Sequence, residues 1–156
     1  MKLAGLFAGR VFPEIFQSFP MNTLAAAVVW LRRDLRLEDN AALHAALRCA
    51  RTVHCAYVFD ADPLGALPSR CDRRVEFVRD SLAELNAELA AHGSALIVRQ
   101  GSAREELPRR PRELGAGAVS ANREYEPESI ARDAAVARSL AAGGIDFRTR
   151  KDHVVF

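Results

Sequence analysis

The sequence is short of lysine, of paired cysteines, of glycine-rich turns and of long apolar runs, and each shortage excludes something. Of 22 basic residues only two are lysine and twenty are arginine, beside 28 alanines. A biased codon pool produces that imbalance, and a formal net charge of +2 calls for no direct nucleic-acid or membrane surface. The three cysteines, Cys49, Cys55 and Cys71, form no C-x-x-C pair, and an odd number closes no full disulfide set. His54 adjoins Cys55, but neighbours on a strand point to opposite faces and cannot share a metal, so no metal site is expected. A reduced, cytoplasmic protein with cysteines as core filler is the reading. The apolar run Leu3 to Ala8 is broken by Arg10 and Pro13, too short to span a membrane and poor as a secretory signal.

What is present suits one soluble domain. A chain of 156 residues, 49% apolar and 27% charged, can bury a real core. The first twenty residues, MKLAGLFAGRVFPEIFQSFP, carry four of the eight Phe and no clear period. Met21 comes directly before the first regular element. We therefore read residues 1–22 as a leader, disordered or not native, and 23–156 as the domain.

From residue 25 the pattern alternates. Ala25 to Leu31 is a continuous apolar run, as for a strand buried on both faces. Asp39 or Asn40 can cap a helix with Leu43, Leu47 and Ala50 on one side. Thr52 to Phe59 is β-rich, and Asp60 to Ser69, with Pro63, Gly65 and Pro68, is a loop. Val75, Val78, Leu82, Leu85 and Leu89 step by three and four along a helix that Gly93 ends. Ala95 to Arg99 is a third strand. Ala103 to Leu114 is a weaker helix, with Pro108 tolerable as a first-turn residue and Pro111 expected to delay or kink it. Ala118 to Ala121, Glu128 to Ala142 and Ile145 to Thr149 complete the pattern as strand, helix and strand. Such alternation predicts an α/β fold, a five-stranded parallel Rossmann-like sheet in the order 3-2-1-4-5 with helices on both faces.

Ligands of open parallel sheets bind outside the carboxyl ends of the strands. The turn after the first strand, where a phosphate-binding glycine loop is expected, reads RRDLRLEDN and has no glycine. Gly101-Ser102 is a lone pair, and Gly115 and Gly117 precede a strand, so no phosphate cradle is supported. The charges at this edge are more informative. Arg33, Asp34 and Arg36 leave strand one, and Glu124 and Glu126 leave strand four. They can satisfy one another as solvated bridges of about 0–1 kcal/mol each, or form a polar rim around a planar ligand. Trp30 sits in a buried strand and is core, and His44 is a surface or boundary residue. His153 lies near the same edge and carries no chemistry alone.

Two blocks decide between these. WLRRDLRLEDNAAL, from Trp30, resembles the opening signature of the DNA photolyase and cryptochrome family, Trp-Phe-Arg-x-Asp-Leu-Arg followed by Asp-Asn, with Leu31 in place of Phe. NREYEPESIARDAAV, from Asn122 to Val136, is similar to the family's strand-four segment and Arg-Asp helix start, and YVFDADP fits between them. The resemblance covers residues 26–156 and implies the amino-terminal domain that holds an accessory light-harvesting chromophore. It implies a separate carboxyl-terminal helical domain holding FAD, absent here, and damaged DNA as a partner of the full-length enzyme, which repairs cyclobutane pyrimidine dimers in light. The segment alone is then a binding module.

For the chromophore, the family's deazaflavin users have an acid, one residue, then Glu-Pro, with an Arg opening the helix after the loop. Glu124, Glu126-Pro127 and Arg74 match. Folate users have an Asn-Glu pair where this chain has Glu128 and Ser129. A deazaflavin or other flavin-like pigment is thus expected, with methenyltetrahydrofolate second. The candidate binding residues are Arg33, Asp60, Arg74, Glu124, Glu126 and Glu128. A cryptochrome photoreceptor and a stand-alone nucleotide-binding module are the alternatives, the latter opposed by NREYEPES where a Gly-x-x-Gly loop belongs. The chain stops at KDHVVF directly after strand five, which reads as a cut end. Deleting residues 1–20 should leave the thermal midpoint essentially unchanged, because that leader has no periodic apolar face to pack. A clear fall in the melt of the truncated chain would show that its phenylalanines belong to the core.

Overall fold

The computed structural model describes residues 23–60 and 73–152, the side chains of Arg73 and Arg74 excepted. The leader, the Pro/Gly loop, Cys71 and His153 lie outside the described residues. Five strands, Leu24–Leu31 (β1), Ala50–Asp60 (β2), Leu96–Gly101 (β3), Ala118–Asn122 (β4) and Asp146–Arg150 (β5), form one sheet. Its order is β3-β2-β1-β4-β5, and every pairing is parallel. The helices are Ala41–Cys49 (α1), Arg73–Ala91 (α2), Ala103–Glu113 (α3) and Pro127–Ala142 (α4). The expected fold class and strand order hold, with boundaries moved by at most two residues.

β1 is the central strand and is buried from Ala26 through Leu31. Its side chains divide two cores by the period of two. Ala26, Val28 and Trp30 meet Leu107 of α3 and Val136 and Leu140 of α4 on one face. Ala27, Val29 and Leu31 meet Leu43 of α1 and Leu85 and Leu89 of α2 on the other. Cys49 and Cys55 are buried, and burial pushes the Cys55 thiol up to about 12, so it acts as apolar filler.

α3 departs from expectation. Pro108 is its sixth residue, not a first-turn residue, and the helix runs unbroken past Pro111 to Glu113. Leu107, Pro108 and Pro111 are all buried. Each proline forfeits one backbone hydrogen bond, and the apolar surface its ring hides from water offsets that loss. Asp60 at the end of β2 supports the start of the same helix, accepting from the Ala103 N–H at 3.3 Å.

Three helices end in one way before turning into the next strand. The Ser94, Ala116 and Ile145 N–H groups reach back to the Leu89, Pro111 and Leu140 carbonyls at 2.8, 2.8 and 3.0 Å. The residue before each of them is a glycine at positive φ: Gly93, Gly115 and Gly144. This is the Schellman ending, which needs a left-handed residue at that point. At Gly144 (φ 71°) an added Cβ would meet nothing within 4 Å, so a substitution there tests the backbone alone. Gly144→Ala should destabilise the domain by about 1–2 kcal/mol and Gly144→Asn by less, read from urea midpoints at constant slope.

Candidate functional site

The turn from β1 to α1 binds itself. Asp34, 3% exposed, accepts from the Arg32 N–H at 2.9 Å through Oδ1. Its Oδ2 accepts from Asn122 Nδ2 at 2.6 Å and Asn40 Nδ2 at 3.2 Å. The first three N–H groups of α1, which no helical carbonyl can reach, are all taken. Ala41 donates to Asp152 Oδ1 (3.2 Å), Ala42 to Asn122 Oδ1 (2.9 Å) and Leu43 to Asn40 Oδ1 (3.1 Å). Arg36 in turn holds Asp152 Oδ2 at 2.5 Å. Asn40 is therefore the cap, while Asp39 takes a left-handed conformation with φ 50°. A helix N-terminus in this place can receive a phosphate only through free N–H groups. Here protein oxygens occupy them.

On the α3/α4 face the same strand end builds a buried ion cluster. Arg32 Nη1 lies 2.8 Å from Asp133 Oδ2 and 3.5 Å from Glu124 Oε2, with 6%, 13% and 10% of the three side chains exposed. Arg132 Nη2 lies 2.7 Å from Glu124 Oε2 and 3.3 Å from Asp133 Oδ1, and its Nη1 lies 3.7 Å from Asp60 Oδ2. Both guanidinium carbons stand against the Trp30 ring, 4.5 Å and 4.8 Å from its centroid. Arg32 also donates to the Asn122 carbonyl. The rim charges are thus largely not solvated bridges, which corrects that expectation. The Arg33–Glu126 contact is one that does fit it, with 68% and 47% of the side chains exposed.

These groups surround a cavity of about 210 Å³ lined by Arg32, Arg33, Asp34, Asn122, Arg123, Glu124, Tyr125 and Glu126. That is smaller than the 300–1,000 Å³ of a closed ligand pocket, so these residues form part of a wall. Three of the residues singled out in the sequence, Arg33, Glu124 and Glu126, come together here. Asp60 is buried and reaches the cluster through Arg132. Glu128 is exposed on the first turn of α4 and does not line the cavity. The Arg74 side chain lies outside the described residues. Among the described residues no His, Cys, Asp or Glu group could hold a metal ion, and no helix is long and apolar enough to cross a membrane.

Residues 27–156 match the family model for DNA photolyase. The chain belongs to the DNA photolyase family. It is 37% identical over 134 residues to cryptochrome DASH of Natronomonas pharaonis, covering 83% of this chain and 28% of that one. To the deoxyribodipyrimidine photo-lyase of Agrobacterium fabrum it is 35% identical over 127 residues, 80% of this chain and 25% of the other. The solved photolyase of Sulfolobus tokodaii, described with two FAD molecules and an implied novel light-harvesting cofactor, superposes with a TM-score of 0.74 at 33% identity, covering 83% and 30%. The chain thus spans less than a third of these relatives' length, and the part it matches is the photolyase amino-terminal α/β domain.

Within that photolyase domain the residues that sequence reading passed over are Asn122, Arg132, Asp133 and Asp152. Arg132-Asp133 was legible as the helix-start pair but not as the partner of Arg32, since the two sites lie about a hundred residues apart. Burial pushes the Glu124 carboxyl up; the charge of Arg32, the hydrogen bond and charge of Arg132 and a hydrogen bond from Ser129 outweigh it and hold the group below its ordinary 4.5. A carboxyl depressed by folding contributes stability above its unfolded value and loses it as pH falls through the folded value. Urea midpoints should therefore decline from about pH 4.5 downward. Glu124→Gln should remove part of that decline while lowering stability at neutral pH.

Proposed function

We propose that this is the light-harvesting chromophore-binding domain of a deoxyribodipyrimidine photolyase, and that the cavity between the β1 and β4 strand ends is one wall of the pigment site. The observation that carries this reading is the closed α1 N-terminus beside an open, mixed-charge cavity. A nucleotide-binding module would use that terminus for phosphate. The residues present fit a planar heterocycle instead. Arg33 offers donors to ring carbonyls, Glu124 and Glu126 offer acceptors to ring N–H groups, and the half-exposed Tyr125 offers a flat apolar surface. Arg74 joins them on the sequence pattern.

A flavin-like pigment, such as a deazaflavin, fits better than a folate. Glu128 turns to solvent, and Ser129 is buried and hydrogen-bonds Glu124, so neither of the two positions that differ from the folate-using pattern faces the cavity. A bound pigment of this class supplies absorption of blue or near-ultraviolet light, whose energy passes to FAD in the carboxyl-terminal domain. This segment's residues bind and orient; electron donation to the pyrimidine dimer belongs to the full-length protein, whose partner is damaged DNA. A photoreceptor without repair would use the same domain, and a repair assay on the full-length protein separates the two.

Absorbance titration with a deazaflavin and with methenyltetrahydrofolate tests the site. Arg33→Ala, Arg74→Ala and Glu126→Ala should each weaken pigment binding by about ten- to a hundredfold, since a charged hydrogen bond contributes about 1.5–3 kcal/mol, while the thermal midpoint stays near that of the parent. Tighter binding of the folate would replace the flavin-like assignment. Unchanged affinity in all three variants would move the pigment elsewhere.

A further inference from the structure

Glu124 is one of three largely buried charged groups lining the cavity, with Arg32 and Asp34. Its side chain is 10% exposed, it carries a charge, and its two oxygens face different surroundings. Oε2 lies against Arg132 at 2.7 Å and Arg32 at 3.5 Å, whereas Oε1 has Arg33 Nε at 3.8 Å. Arg132 does not line the cavity. It stands behind Glu124 on α4 and is itself fixed by Asp133 of its own helix, by Asp60 at the end of β2 and by the Trp30 ring of β1. A carboxylate anchored through one oxygen by a guanidinium that is itself held by several partners is a preorganised acceptor.

We propose that Arg132 is a positioning residue of the cavity, holding Glu124 ionised and oriented so that the carboxylate accepts an N–H donor of a bound planar heterocycle. This rests on the cavity being a pigment site. Every element around Glu124 bears on its charge. β1 and its turn bring Arg32 and Arg33, β2 brings Tyr57 and Asp60, and the start of α4 brings Glu126, Ser129, Arg132 and Asp133. Of these, the charges of Arg32 and Arg132 and the hydrogen bonds from Arg132 and Ser129 favour the ionised form, while burial opposes it. Removing Arg132 leaves Arg32 facing the burial penalty with a second carboxylate, Asp133, to serve. The Glu124 titration must then move upward.

The structural alternative is that Arg132 only ties α4 to the sheet. Two variants separate these roles. Arg132→Lys keeps a cation behind Glu124 and loses the forked geometry, whereas Arg132→Gln keeps hydrogen bonding and loses the charge. In the chain without ligand, carboxyl ¹³C NMR should show Glu124 titrating below 4.5 in the parent, near the parent in Arg132→Lys, and clearly higher in Arg132→Gln. Deazaflavin affinity at neutral pH should fall about tenfold or more in Arg132→Gln, with partial retention in Arg132→Lys. Only Arg132→Gln should gain a pH dependence as its acceptor protonates. An unchanged Glu124 titration in folded Arg132→Gln, or equal loss of affinity in both variants at every pH, would overturn the proposal. If the parent binds no deazaflavin, the pigment reading fails, and the titration still decides whether Arg132 sets the state of Glu124.

Discussion

Two guanidinium groups, of buried Arg32 and part-buried Arg132, stand at the carboxyl end of the sheet, and the carboxylates around the cavity are arranged to neutralise them. An arginine cannot shed its proton to escape burial, so Arg32 and Arg132 must keep carboxylates at hand. Glu124, Asp133 and Asp60 supply them from β4, α4 and β2. The Arg32–Asp133, Arg32–Glu124 and Arg132–Asp60 pairs join elements far apart in sequence, so the cluster ties α4 and the end of β4 to β1 and β2. Removing one member of such a cluster strands the others, at a cost of about 3–5 kcal/mol, although an apolar replacement of the whole can be as stable. The cluster therefore specifies one arrangement more than it adds stability. Trp30 closes it from below, where a guanidinium over an aromatic face keeps a favourable contact after losing water.

The second constraint is the sealed start of α1. Parallel α/β sheets offer a helix N-terminus beside the first strand, and many such folds give it to a phosphate. In this chain Asn40, Asn122 and Asp152 take the three free N–H groups, and Asp34 ties Asn40 to Asn122. The turn reaches this geometry without a glycine, its backbone N–H groups being taken by the protein's own oxygens. The arginine-rich turn is consumed by its own fold at Arg32, Asp34 and Arg36. What it leaves exposed is Arg33, which faces water beside Glu124 and Glu126.

The cavity thus has a largely buried floor and an exposed rim. Glu124 and Asn122 are held by buried partners, whereas Arg33 and Glu126 face water and are joined by an exposed pair of the kind that contributes about 0–1 kcal/mol.

The sequence by itself determined the strand and helix order, the two-faced core and the family. Those depend on local apolar periodicity, on a helix-ending glycine at Gly93, and on contiguous motifs, all of which are written along the chain. It also placed Arg33, Glu124 and Glu126 at one sheet edge, because parallel topology puts every strand's carboxyl end on the same side. Only the tertiary structure decided which of those charges are buried and spoken for. Arg32 and Asp133, like Ala41 and Asp152, are separated by about a hundred residues and meet because β1 lies beside β4 and the chain after β5 returns over α1. Burial decided the prolines of α3 as well. Propensity counts a lost hydrogen bond against Pro108 and Pro111, but the packing of their rings against the core is a property of the assembled layers and has no local signature.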